Sequence, residues 1–514
     1  MTAAVRPVEP PSTPRDTRFF GHPRGLSTLF LTELWERFSY YGMRALLILF
    51  MTAPIAAGGL EFDAAKAGVI YGSYTALVYM MTLPGGWLAD RFLGQRRATL
   101  YGGVVIMLGH ISLAVPSIST FYLGLGLVII GTGLLKANVA TMVGQIYAPE
   151  DERRDAGFSI FYMGINLGAL TAPLVCGWLA QSEQFRGILT AAGISPELSW
   201  HFGFGMAAVG MFFGIVQYLG GWKHLGNAGM EPIAPENEAA RARQRRQLRL
   251  GIAVVLAVAG LLVALSTSGI LTITAQGLGN AFGVVLLLIT VAFFLWLFLS
   301  PQWTRAERKQ LTVVLVLFLG AAVFWSVFEQ QGSSLNLFAQ RNTDTRILGR
   351  PFPPSWFQSV ESVFLVLLAP VFAWIWIRLG KRDPSSPAKF SMGLFFVAAG
   401  FGLLFLASQL AQTGIKVSPL WLVATYFLFS IGELLLSPVG MSAITRLAPA
   451  RIVGLTMGVW YLALSVGSYM GGRVASLYET FTLPQLFGAV GLYALAATVL
   501  MGLLIRPIRR MLER

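Results

Sequence analysis

Glu33, Glu36, Arg37 and Arg44 sit inside LTELWERFSYYGMRALLILF (31–50), a stretch otherwise dominated by apolar and aromatic residues. On a helix turning about 100° per residue, these four fall with Tyr40 and Tyr41 inside an arc of about 140°, so all six share one face. Burying a charge near the centre of a bilayer costs roughly 2.5 to 3.5 kcal/mol on insertion scales, and such a row persists only against protein, water or a bound partner. A carboxylate beside a guanidinium exchanges a proton as its partner moves, while a guanidinium released from its carboxylate can anchor an anion. The face is therefore read as a polar translocation pathway.

The elements that must position this row are membrane helices. The chain has 514 residues, 55% hydrophobic and only 12% charged, with a mean hydropathy of +0.65. That is too little polar surface for a soluble globule. A single cysteine, Cys176, lies in an apolar run, which excludes an intrachain disulfide and a cysteine-based cluster. The four histidines show no ligand spacing, so neither a metal nor another cofactor is expected, protons apart.

Taking about 20 apolar residues per span, helices are expected near 26–53, 66–90, 98–115, 120–147, 156–180, 199–222, 249–267, 279–300, 310–331, 356–378, 390–410, 418–445, 452–475 and 484–505. Alternate connections hold most of the +14 net charge: RFLGQRR (91–97), EDERRD (150–155), RARQRRQLR (241–249), TRAERK (304–309), RLGKRD (378–383) and RPIRRMLER (506–514). By the positive-inside rule these face the cytoplasm together with both termini, which speaks for lipid rather than nucleic acid as the partner of the charge. The loop at 338–355, with Arg341, Arg346 and Arg350, breaks the alternation. Residues 1–25 are rich in Pro and Arg without an apolar core or cleavage site and read as a cytoplasmic tail.

The polar connection 223–248 reads as a linker between two bundles. Two spans without internal charge follow (249–300) and read as a lipid-facing hairpin; the next six again carry buried charge up to 505, ahead of a tail at 506–514. Six plus two plus six, all helical, suggests a major-facilitator transporter with an inserted hairpin. GGWLADRFLGQRR (85–97) resembles the major-facilitator loop between the second and third helices. There Gly85 and Gly86 allow close helix approach, and Asp90 is expected to pair with arginines across helix ends as a gate.

ELWERFSYYG (33–42) and FSIFYMGINLGAL (158–170) resemble the first- and fifth-helix motifs of the proton-coupled oligopeptide transporters. So do GTGLLKANVATMVG (131–144), FWSVFEQQGSS (324–334), GELLLSPVG (432–440) and MGVWYLALSVG (457–467). The resemblance implies a secondary symporter of di- and tripeptides with protons, working by alternating access as a monomer in the bacterial inner membrane. It implies that Arg37 and Lys136 engage the peptide carboxylate, that Glu433 receives the amino terminus, and that Asn166 bonds the peptide backbone. Tyr40, Tyr41, Tyr79, Trp325, Ser437 and Trp460 would line the walls. Glu33 and Glu36 are expected to carry protons beside Arg37, and Glu329 to pair with Arg44 as a proton-sensitive outer gate.

Several alternatives stay open. Lys136 could instead form an ion pair with Glu33 or Glu36, Asn166 could anchor a neighbouring helix, and both tryptophans could be packing. Ser437 and Pro438 suggest a break in the tenth helix of the two bundles. The eighth-helix pattern QS-x-N-P of relatives is here Gln358, Ser359, Val360, Glu361 and Ser362, placing a carboxylate at the amine end of the cavity. Ala137 stands where relatives carry proline and predicts a straighter helix. Another small anion or an amino-acid-like solute is the competing substrate class, and a channel the competing mechanism. An enzyme has no support, since GTGLLK (131–136) lacks the rest of a phosphate-binding loop.

Overall fold

The computed structural model describes residues 16–512 except 149, 233–234, 236, 271, 302, 348 and 448–452. Most of the expected N-terminal tail therefore lies outside the described residues. The first bundle comprises α1 (Arg24–Thr52), α2 (Ala64–Met80) running on into α3 (Thr82–Leu88), α4 (Gln95–Leu113), α5 (Ile118–Gln145) and α6 (Arg154–Gln181). After the short α7 (Glu183–Ala191), α8 (Ser199–Gly221) completes it. The hairpin is α9 (Glu238–Thr267) and α10 (Ala275–Leu299). The second bundle comprises α11 (Arg305–Phe328), prolonged by the short α12 (Ser334–Arg341), then α13 (Phe357–Leu379), α14 (Ser386–Ala411), α15 (Leu420–Leu447), α16 (Val453–Ala475) and α17 (Leu483–Leu512). A two-stranded antiparallel ribbon, β1 (Arg346–Ile347) and β2 (Arg350–Pro351), lies in the loop before α13.

Among the described residues, ten of these helices cross a membrane by length and apolarity alone, and α1, α2 with α3, α4 and α16 complete the spans. α1 falls outside the ten because its charges lower its hydropathy; those charges are buried against protein, as the insertion cost requires. Pro84 explains the step between α2 and α3, since it lacks the N–H that would bond the Met80 carbonyl. Helix starts are set locally. Asp63 caps α2 by accepting from Lys66 N at 2.6 Å, and Thr304 with Glu307 forms a capping box at α11.

α1 packs between α6 and α8, and small residues permit that approach. A Cβ at Gly42 would stand 2.6 Å from the Cys176 sulfur. The two bundles meet in the same way: a Cβ at Gly72 of α2 would lie 2.7 Å from Gly472 Cα of α16. Around this crossing, Asn336 donates to the Ala45 carbonyl at 2.8 Å, Ser465 to the Ala76 carbonyl at 2.9 Å, and Ala64 N to Glu479 at 3.1 Å. Within the second bundle, Arg341 bonds Glu479 at 2.7 Å and so fixes the carboxylate that meets Ala64. Trp356 reaches the Leu174 carbonyl at 3.0 Å. These contacts hold the bundles together at the side away from the chain ends.

Four expectations need correction. The run RARQRRQLR is not linker: α9 begins at Glu238, capped by Asn237, because the run's long straight-chain residues are good helix formers. Likewise α17 continues to Leu512 through the expected tail. The tenth helix of the two bundles, α15, is unbroken and carries Pro438 inside it. The hairpin is only half lipid-facing. α9 buries nothing, but α10 buries Gly279, Leu286, Phe294 and Leu297 and contacts α2, α11 and α16.

Candidate solute site

The one-faced row on α1 points into the interface between the bundles. Arg37 donates to both oxygens of Glu36, with Nη2 to Oε1 at 2.6 Å. Glu33 lies one turn back with its carboxylate 3.3 Å from Arg37 Nε. All three are about 97% buried or more. Two carboxylates thus share one guanidinium, so a change at either oxygen pair alters what the other experiences. The guanidinium also lies 4.9 Å from the Tyr40 ring centroid and 5.9 Å from that of Tyr41, and the Arg44 guanidinium lies 5.7 Å from Tyr41 on its other side. Tyr41 therefore lies within cation–π distance of two cations.

Arg44 reaches across to the second bundle. Its Nη2 bonds Glu329 at 2.7 Å, and its Nε donates to the Tyr71 hydroxyl at 2.8 Å. Both partners of the ion pair are buried. Glu329 opens a 3-10 turn after α11, which places its carboxylate at the far-side contact zone. The structure thus brings Arg44 and Glu329 together as a cross-bundle ion pair.

Lys136, half-buried on α5, forms no ion pair. Its ammonium sits 4.4 Å from the Tyr79 ring centroid, and among the described residues no carboxylate lies within 4.0 Å of it. The alternative pairing with Glu33 or Glu36 is not made, because Arg37 occupies both carboxylates. α5 runs without interruption past Ala137. Across the interface, Glu433 and Ser437 are half-buried one turn apart on α15. Trp325 and Trp460 meet edge-on at 6.4 Å, and among the described residues the Trp325 indole N–H has no partner. Asn166 commits its amide nitrogen to its own helix, donating to the Tyr162 carbonyl at 3.1 Å; its oxygen is what remains for a solute.

Among the described residues, Asp90 is not joined to an arginine in this arrangement; it accepts from Gln95 at 3.1 Å. The arginine fixed in this loop is Arg96, which donates to the carbonyls of Ala228 (2.7 Å) and Gly226 and so ties the start of α4 to the segment after α8. Asp90 lies in a π-turn, Ala89–Leu93, between α3 and α4.

Four polar residues of the site escaped the sequence reading. Tyr71 holds Arg44. Gln331 and Tyr426 lie near Glu361, and Tyr162 faces Glu433 and Glu361. Gln331 and Tyr162 lie inside recognised motifs, at FWSVFEQQGSS and FSIFYMGIN, but nothing in the local pattern singles out Tyr71 or Tyr426. Among the described residues, no group of three or more His, Cys, Asp or Glu is arranged to hold a metal ion.

Comparison with known proteins accords with this arrangement. Residues 96–492 match the POT family. The chain is 39% identical to the peptide transporter YePEPT of Yersinia enterocolitica, over 98% of each chain. It is 36% identical to a di-/tripeptide transporter of Lactococcus lactis subsp. cremoris, covering 96% of this chain and 97% of that one. A crystal structure of a peptide transporter POT in complex with sulfate is 41% identical over 97% of this chain and 98% of that chain, with a TM-score of 0.87. The match spans both bundles and their charged interface, and on these grounds the chain belongs to the POT family.

Proposed function

We propose that this protein is a secondary active symporter that moves di- and tripeptides with protons into a bacterial cell across its inner membrane, with both termini in the cytoplasm. The observation that carries the reading is the division of charge between the bundles. Lys136, with no carboxylate partner, and Arg37 stand on the first bundle, and Glu433, with no cation within 4.0 Å among the described residues, stands on the second. A zwitterionic peptide has a carboxylate and an ammonium at its ends, and fixed opposite charges with aromatic walls between them fit that chemistry. Crystal structures of relatives include a peptide transporter POT in complex with alafosfalin and a POT family transporter in complex with a thioalcohol-conjugated peptide.

Coupling follows from shared partners. Protonating Glu33 or Glu36 loosens Arg37 and frees its guanidinium for the peptide carboxylate. Protonating Glu329 breaks the pair with Arg44 and releases one cross-bundle contact on the far side, which favours opening outward. Arg37, Tyr40, Tyr41, Tyr79, Lys136, Asn166, Trp325, Glu433, Ser437 and Trp460 form the peptide cavity. The chain works as a monomer, and protons are its only coupling agent.

The test is uptake of labelled dialanine into liposomes holding the purified protein. Accumulation driven by an inward proton gradient and abolished by a protonophore is the expected result. Equal accumulation without the gradient would overturn symport, and transport of another small anion in preference to dialanine would favour the alternative substrate class.

A further inference from the structure

The charges of the interface do not cancel in pairs. Glu33 and Glu36 share Arg37, and Glu329 holds Arg44. That leaves Lys136 as the cation without a carboxylate on one side. On the other side stand two carboxyls, Glu361 and Glu433, neither with a cation within 4.0 Å among the described residues. α13 and α15 cross here, with the Ser430 hydroxyl 3.4 Å from the Glu361 carbonyl. Glu433 lies three residues beyond Ser430, one turn along, and the two carboxyl groups come within hydrogen-bond reach of each other. Among the described residues, buried Glu361 Oε1, Gln331 Nε2 and the Tyr426 hydroxyl make no hydrogen bond within 3.5 Å, the Gln331 amide being the neutral group next to Glu361.

Carboxyls in contact need positive charge between or beside them, a proton in the empty site or a cation in the loaded one. A dipeptide with an uncharged first residue brings a single ammonium to this end and satisfies one of the two. The arrangement of one cation without a carboxylate facing two carboxyls without a cation is complementary to a solute with one carboxylate and two positive charges, the second close to its amino terminus. We propose that Glu361, beside Glu433, makes this site selective for peptides whose first residue carries a cationic side chain, the ammonium of the backbone meeting Glu433 and the side-chain cation meeting the Glu361 carboxyl, which has no cation of its own. Arg44, Glu329, Tyr41 and Tyr162 also face this pair, and Arg44 is held off by its bond to Glu329. The inference rests on the peptide-transport reading and refines its substrate class.

The experiment measures inhibition of labelled dialanine uptake by unlabelled Lys-Ala, Ala-Lys and Ala-Ala, with the full chain in liposomes under an inward proton gradient. A charge-assisted contact predicts that Lys-Ala inhibits at a concentration about tenfold below that of Ala-Ala, while Ala-Lys gains nothing comparable. In Glu361→Gln the ratio of Lys-Ala to Ala-Ala inhibition should fall to about one, whatever the absolute rate, and Glu361→Asp should retain most of it. If the Gln variant does not transport, the same ratio is read from the thermal shift that each peptide gives the purified variant. Equal inhibition by all three peptides in the unmodified protein, equal gain by Lys-Ala and Ala-Lys, or a preference that survives Glu361→Gln would each overturn the proposal. Failure of dialanine to accumulate at all would overturn the peptide reading instead, and thermal shifts with Lys-Ala and Ala-Ala would then still decide whether Glu361 recognises a second cation.

Discussion

At the scale of single residues, the α1 row shows how one guanidinium can serve two carboxylates and a solute. Arg37 is held by Glu36 through both oxygens and by Glu33 more loosely at 3.3 Å. Removing the negative charge of either acid should leave the guanidinium bound to the other and partly available. Glu33→Gln and Glu36→Gln imitate the protonated acids. Each is expected to abolish gradient-driven accumulation of dialanine while preserving exchange of internal for external dipeptide, because exchange needs no net proton movement. Loss of both activities in a variant that still folds, judged by its melting temperature, would place that glutamate in direct solute contact instead of in coupling. Glu33 and Glu36 are legible in the sequence because their spacing on a helix fixes their shared face before any other element is known. Lys136 is the opposite case. Its residue type and apolar setting are visible, but its freedom from both glutamates depends on Arg37 having taken them, which is a matter of distances across α1 and α5.

At the scale of elements, the far-side closure depends on backbones approaching at glycines as much as on charge. Gly72 of α2 and Gly472 of α16 leave no room for a side chain between them, and Ser465, two turns from Gly472, donates to Ala76, one turn from Gly72. Gly472→Leu should force α16 away from α2 and bias the protein against closing on this side, since a packed crossing has little tolerance for several added heavy atoms. In a background with Cys176→Ser, a cysteine placed at Ser465 is buried in the closed form and should react with a membrane-impermeant thiol reagent severalfold faster when Gly472→Leu is added. Unchanged labelling would show that the crossing does not set the closed state. The hairpin belongs to this scale too: α10 lies against both α2 and α16 next to that crossing, a contact its uniformly apolar sequence did not announce.

For the whole molecule, one ion pair on the far surface, Arg341 with Glu479 inside the second bundle, fixes the carboxylate that the first bundle meets at Ala64 N. Burial would raise the Glu479 carboxyl, but the bond from Arg341 and the backbone N–H of Ala64 outweigh it and hold the group below the usual carboxylate range. With the folded value lowered, the link contributes fully above the ordinary carboxylate value and is lost as the pH falls through the folded one. The pair is about two-fifths exposed, so its worth is about 1 kcal/mol or less. Arg341→Gln should therefore lower the melting temperature in detergent slightly at pH 7, with the gap to the unmodified protein closing in acid below about pH 4. A gap that stays constant down to that pH would assign the effect of Arg341 to packing over the Tyr478 ring.

The sequence by itself determined the solvent, the helical spans and the family. These rest on local quantities: apolar run length, the turn of a helix, and motifs confined to one helix each. Tertiary structure alone decided which charges meet. Arg37 taking both glutamates, Lys136 left beside Tyr79, Glu361 set against Glu433, and Asp90 joined to Gln95 are all outcomes of how the helices are placed. A difference of a few ångströms across such a crossing separates an ion pair from an unpaired charge, and no spacing along one helix encodes it.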